Sequence, residues 1–163
     1  MSCILRVFGE HLDVEALLSK VTMKPDKIWR KGEPRFKTKP NGRVNEQSGV
    51  TFVASDADFL APDKQLEDAT RFLEEFHDEI VLLVEFEGVD HATLDFGIEL
   101  RDVAVHCDFL SSRFLRGAAS AGIEVELSHY PISDKQRSEQ GADGKPSDAT
   151  QLPHELNPIT RLP

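Results

Sequence analysis

The chain has 163 residues, of which 39% are hydrophobic and 29% charged, the make-up of one globular domain that can bury a core without a metal or a disulfide framework. Nineteen basic against 29 acidic residues leave a formal charge of -10, which argues against general nucleic-acid affinity because phosphate neutralisation needs a basic face. The longest apolar run, residues 80–84, is far short of the roughly 20 residues that a membrane-spanning helix requires, and the N-terminal apolar run is broken at Arg6, unlike a signal peptide.

Ile4, Leu5, Val7 and Phe8, closed by Gly9, predict a buried first strand. A helix follows, capped by Asp13, with Glu15 at the positive end of its dipole and Leu12 packing on Leu17. Residues 23–49 hold no sustained period and carry Pro25, Gly32, Pro34, Pro40 and Gly42, so they are expected to form a long loop or extended arm. Residues 50–54 predict a second strand. Pro62 and Asp63 then open the clearest helix, whose apolar stripe is Leu66, Ala69, Phe72, Leu73, Phe76 and Ile80 and whose wet side is Glu67, Asp68, Arg71, Glu74, Glu75, Asp78 and Glu79.

The near-continuous apolar run at 80–86 has strand length and predicts a central strand, turning at Gly88 into an alternating strand of Leu94, Phe96 and Ile98. Val103, Val105 and Cys107 repeat that alternation briefly. Ser111 is expected to cap a last helix with Leu110, Phe114, Ala118 and Ala121 on its inner face, Leu110 and Leu115 as a staple, and Gly122 as its stop. Ile123, Val125 and Leu127 alternate with polar residues in a closing strand. The expected order is β-α-β-α-β-β-α-β: an α+β fold with a mostly antiparallel sheet, helices largely on one face, a ferredoxin-like variant. Residues 1–132 form the expected domain and 133–163 a polar, flexible tail in which only Leu152, Leu156, Ile159 and Leu162 could dock. Cys3 and Cys107 lie in apolar runs and are expected as two buried thiols of a cytoplasmic protein.

Charge is spread unevenly. Residues 24–43 hold eight bases (Lys24, Lys27, Arg30, Lys31, Arg35, Lys37, Lys39, Arg43) against Asp26 and Glu33, so this segment is +6 and the remainder -16. Within it, Trp29-Arg30-Lys31-Gly32-Glu33-Pro34 follows the first helix. Together with Phe8-Gly9, Asp95-Phe96-Gly97 and the stretch 122–130, it resembles a bacterial family catalogued only as a domain of unknown function, over about residues 3–132. The resemblance implies a small α+β domain and brings no catalytic residue or cofactor with it.

The candidate binding residues are Trp29, Arg30, Lys31, Glu33 and Arg35. Gly32 permits a positive φ, Pro34 fixes the chain beyond it, and Trp29 offers a flat anchor beside forked donors for carboxylate or phosphate. The plainer reading has Trp29 covering a sheet edge, Glu33 paired with a neighbouring arginine and the other bases solvated or lying against the acidic second helix. The six histidines contain no i, i+4 pair; His106 with Asp108, or His91 with Asp95, could be metal ligands only if the fold gathered them, so no metal and no cofactor is expected. Asp95-Phe96-Gly97 lacks the loops that a kinase needs, residues 141–146 lack the spacing of a phosphate loop, and no Ser or Cys sits in a nucleophile elbow. The expectation is a non-enzymatic interaction protein, such as an immunity-type inhibitor holding a basic protein on its acidic surface; the alternative is a binder of, or enzyme on, a small anionic metabolite at the loop 24–43.

Overall fold

The computed structural model describes residues 2–36, 38–100 and 103–131; the expected tail lies outside them. The first strand, β1 (Cys3–Gly9), has sheet neighbours on both sides and alternates cleanly: Cys3, Leu5 and Val7 are buried, whereas Ile4, Arg6 and Phe8 point to the opposite face and are half-buried. The short helix α1 (Val14–Leu18) follows, with the Asp13 carboxylate accepting the Ala16 N–H at 3.0 Å and both Leu12 and Leu17 buried, as the capping pattern predicts.

The segment expected to be all loop contains a strand, β2 (Lys27–Trp29), pairing antiparallel with β3 (Ser48–Ser55). Three residues carry too little alternation to reveal an edge strand in sequence. β3 pairs antiparallel with β1 in a register that places Phe52 beside Leu5 and Val50 beside Val7.

Proline at its first turn opens α2 (Pro62–Glu75), which buries Ala69 and Leu73 and keeps Leu66 and Phe72 partly buried. At Phe76 the backbone departs from helical angles and α3 (His77–Val84) begins. This helix replaces the central strand expected at 80–86. An apolar run of strand length has the same appearance as a helix buried on one side and half-covered elsewhere, and here Ile80 and Leu83, three apart, are the positions that reach the core. Gly88 accordingly turns a helix into a strand, and the expected hairpin is absent.

β4 (His91–Glu99) pairs antiparallel with β1, and α4 (Ser112–Ser120) crosses over to β5 (Glu124–Tyr130), which lies parallel to β4. The sheet order is β2-β3-β1-β4-β5, a mostly antiparallel sheet in a mixed α+β fold. The strand expected at 103–107 does not form. Val103 and Val105 are exposed, since β5 already occupies the side of β4 away from β1. Ser111 caps α4 by accepting the Phe114 N–H at 3.2 Å, and Leu110 packs partly buried against the core, whereas Leu115, its expected staple partner, is exposed.

One apolar cluster joins the inner face of the sheet to the helices. Phe96 meets Phe114 edge-on at 5.4 Å, and Leu5, Leu94, Leu17, Leu73 and Leu83 are all at most 1% exposed. Cys3 belongs to this core and is a free thiol, whereas Cys107, also free, is exposed, contrary to the expectation of two buried cysteines. Among the described residues no helix is long and apolar enough to cross a membrane.

Candidate functional site

The face of the sheet turned away from the apolar cluster carries Arg6 and Phe8 of β1, Thr51 of β3 and Trp29 of β2. Beyond β2 the chain rises as an irregular hairpin. The Gly32 N–H donates to Asn45 O at 2.8 Å, the Asn45 N–H to Glu33 O at 2.9 Å and the Arg35 N–H to Arg43 O at 2.9 Å, with a bridge between Pro34 and Val44. Gly32 has φ +82°, the positive value that its place in the turn demands. Between this hairpin and the sheet lies an open groove of about 1200 Å³. Arg35, Arg43, Lys27 and Trp29 line it together with Phe8 and Arg6, and Asp26 and Glu46 bring acids to the same wall.

Trp29 can lie flat here because Gly49 has no side chain: a Cβ at Gly49 would stand 2.2 Å from indole Cζ2 and 2.8 Å from the Phe8 Cβ. Phe8 in turn stacks on His91 at 5.2 Å. These contacts leave the indole half-buried, anchored below and open towards the groove.

The five residues singled out in sequence separate into two groups. Trp29 and Arg35 line the groove. Arg30 instead pairs with Glu15 of α1 and lies 3.8 Å from Glu33, and the Lys31 Nζ donates to Glu10 at 2.8 Å. The Glu15 hydrogen bond holds the Arg30 guanidinium above its ordinary pKa, and the Lys31 hydrogen bond holds the Glu10 carboxyl below the usual carboxylate range. Arg30, Lys31 and Glu33 therefore belong to a charge lattice tying the hairpin base to the first strand and helix; the plainer reading anticipates the Glu33–Arg30 approach but not the pairs with Glu15 and Glu10. Lys27, Arg35 and Arg43 make no ion pair among the described residues. Sequence reasoning missed Arg6, Phe8 and Thr51 as groove residues. The one available signal was Arg6, a charge in an otherwise apolar strand that marks its second face.

A second cluster forms where none was expected from spacing. His106 Nε2 lies 3.1 Å from Asp108 Oδ1, and His129 Nε2 lies 3.0 Å from Asp108 Oδ2. The two imidazoles stand at 88° with centroids 5.1 Å apart. Burial opposes the charge on Asp108, but the hydrogen bonds from His129 and His106 outweigh it and keep its carboxyl below the usual range. His91 and Asp95 lie on opposite sides of Thr93 along β4, and His91 approaches Glu124 at 3.9 Å instead.

No curated protein and no solved structure matches the chain. A family model does, over residues 1–131, which takes in the whole sheet, the hairpin and both clusters. By that match the chain belongs to the family described as a domain of unknown function (DUF4279).

Proposed function

We propose that the protein is a non-enzymatic binding module that holds an acidic segment of a partner protein in the groove between the hairpin and the outer face of the sheet. The observation that carries this reading is the pairing of an anchored, half-open indole with Lys27, Arg35 and Arg43, cations that make no ion pair among the described residues although the chain has an excess of acids. Desolvating a forked guanidinium against a carboxylate beside an aromatic anchor is a common source of binding energy at protein interfaces. The groove's openness and its volume of about 1200 Å³ suit an extended chain better than a compact metabolite, whose sites run to about 300–1000 Å³.

The reading as an immunity-type inhibitor of a basic protein draws less support from the geometry. It rests on acids of α2 and the later strands, and several on the helical side are already engaged: Asp68 by Lys64, Ser55 and Arg71, Glu74 by a two-point pair with Arg113, and Glu79 by Thr22 and Met23.

Trp29 is the only tryptophan, so its fluorescence reports the groove directly. Titration with a Glu/Asp-rich peptide at low salt should change its emission, and high salt should weaken the effect. The double variant Arg35→Ala/Arg43→Ala should lose the response while Arg30→Ala keeps it. A wild-type response to phosphorylated metabolites but not to the peptide would turn the reading to a small anionic ligand. No response to either would remove the groove as a site.

A further inference from the structure

We propose that His106, Asp108 and His129 form a binding site for a divalent transition-metal ion of the zinc class. The three side chains come from two places that the fold alone unites. His106 and Asp108 lie on the segment leading from β4 into α4, and His129 stands opposite Ile98 near the end of β5. β4, α4 and β5 make a parallel βαβ unit, and the cluster sits at the carboxyl ends of its two strands, where parallel sheets characteristically place ligand sites.

The donor set and its spacing both suit the ion. Two imidazole nitrogens and a carboxylate are the ligand types that zinc takes, and four-coordinate bonds of about 2.0–2.1 Å require donor atoms about 3.4 Å apart. The nitrogens lie 3.1 and 3.0 Å from the two carboxylate oxygens, and one donor atom from each residue falls within 4.8 Å of the others. Each ring aims its Nε2 at the same carboxylate from perpendicular planes, so small shifts admit an ion in place of the two bridging protons.

Burial is graded to match. The side chains of Asp108 and His106 are 12% and 15% exposed and that of His129 is 36%, which fixes the carboxylate while leaving a path from solvent. Asp108 also lines a cavity of about 210 Å³ whose walls include Phe96, Ile98, Leu127 and Phe109. Three protein donors leave a fourth position on the ion, so the site is of the open kind that accepts water or an outside ligand.

The test uses the full chain, purified without a histidine tag and stripped with a chelator. Calorimetric titration with Zn²⁺ should give one ion per chain, and Co²⁺ should develop the visible bands of four-coordinate cobalt. Asp108→Asn and His129→Ala, each checked for folding by circular dichroism, should weaken Zn²⁺ binding by at least about tenfold. His11→Ala, at an exposed histidine outside the cluster, should leave it unchanged. Should Asp108→Asn fail to fold, His129→Ala decides the question, because it replaces the most exposed member of the cluster. Absence of Zn²⁺ binding up to about 1 mM, or affinity untouched in folded His129→Ala, would overturn the proposal and leave the cluster as a set of internal hydrogen bonds.

Discussion

The indole of Trp29 rests on the backbone of Gly49, its antiparallel partner across the β2–β3 pair, so closely that a single added carbon would fall 2.2 Å from Cζ2 and 2.6 Å from Cε2. The aromatic wall of the groove thus depends on a glycine one strand away. Gly49→Ala should push the indole off the sheet, cost about 1–3 kcal/mol of stability, shift Trp29 emission to longer wavelength and reduce the response to acidic peptide. An alanine variant with unchanged emission and melting temperature would show that the indole does not need this seat.

Leu73, 1% exposed on α2, faces α4, where a Cβ at Gly117 would meet its Cδ1 at 3.5 Å. Leu73→Ala should cost about 2–5 kcal/mol through lost contacts and a residual cavity. Leu73→Asp should cost several kcal/mol more by burying an unpaired charge. Denaturant titration of the three proteins checks the ranking; an aspartate variant as stable as the alanine one would mean that this face opens to water.

Glu79 binds the segment leading into β2, accepting the Thr22 hydroxyl at 2.5 Å and the N–H groups of Thr22 and Met23 at 2.6 and 3.0 Å. The Thr22 side-chain hydrogen bond, opposed by burial and aided by the two backbone donors, holds the Glu79 carboxyl below its ordinary value of 4.5. A carboxyl depressed in the folded state contributes stability above its unfolded pKa and loses it as pH falls through the lower folded value. Melting temperature should therefore drop below about pH 4.5 more steeply in the wild type than in Glu79→Gln. Parallel curves for the two proteins would assign the acid sensitivity elsewhere.

The two thiols should differ sharply in reactivity. Cys3 is fully buried in β1, and desolvation, with smaller contributions from Asp95 and Asp68, pushes its pKa far above that of a free thiol. Cys107 is exposed. Since the thiolate is the reactive form, a disulfide reagent should modify one thiol quickly in the native protein and two after denaturation. Loss of the fast phase in Cys107→Ser identifies it; two fast equivalents in the native state would mean that β1 opens readily.

By itself the sequence determined the elements whose cues are local. The Asp13 and Ser111 caps, the proline start of α2, the alternation in β1, β4 and β5, and the charge concentrated in residues 24–43 all act over a few residues, and each is found in the structure or is explicit in composition. Tertiary structure decided whatever depends on which neighbour arrives. Ile80 and its apolar neighbours form a helix because another element, β1, takes the central place in the sheet that such a run suggests. Gln65 is fully buried because its amide donates to Asp58 O and Gly97 O at 3.0 and 2.8 Å, a role no helical pattern announces. Glu10 and Glu15 neutralise Lys31 and Arg30, leaving Arg35 and Arg43 for the groove, and β5 brings His129 to Asp108 across 21 residues. Pairings of this kind are set by strand register and helix crossover, and linear spacing carries no record of them.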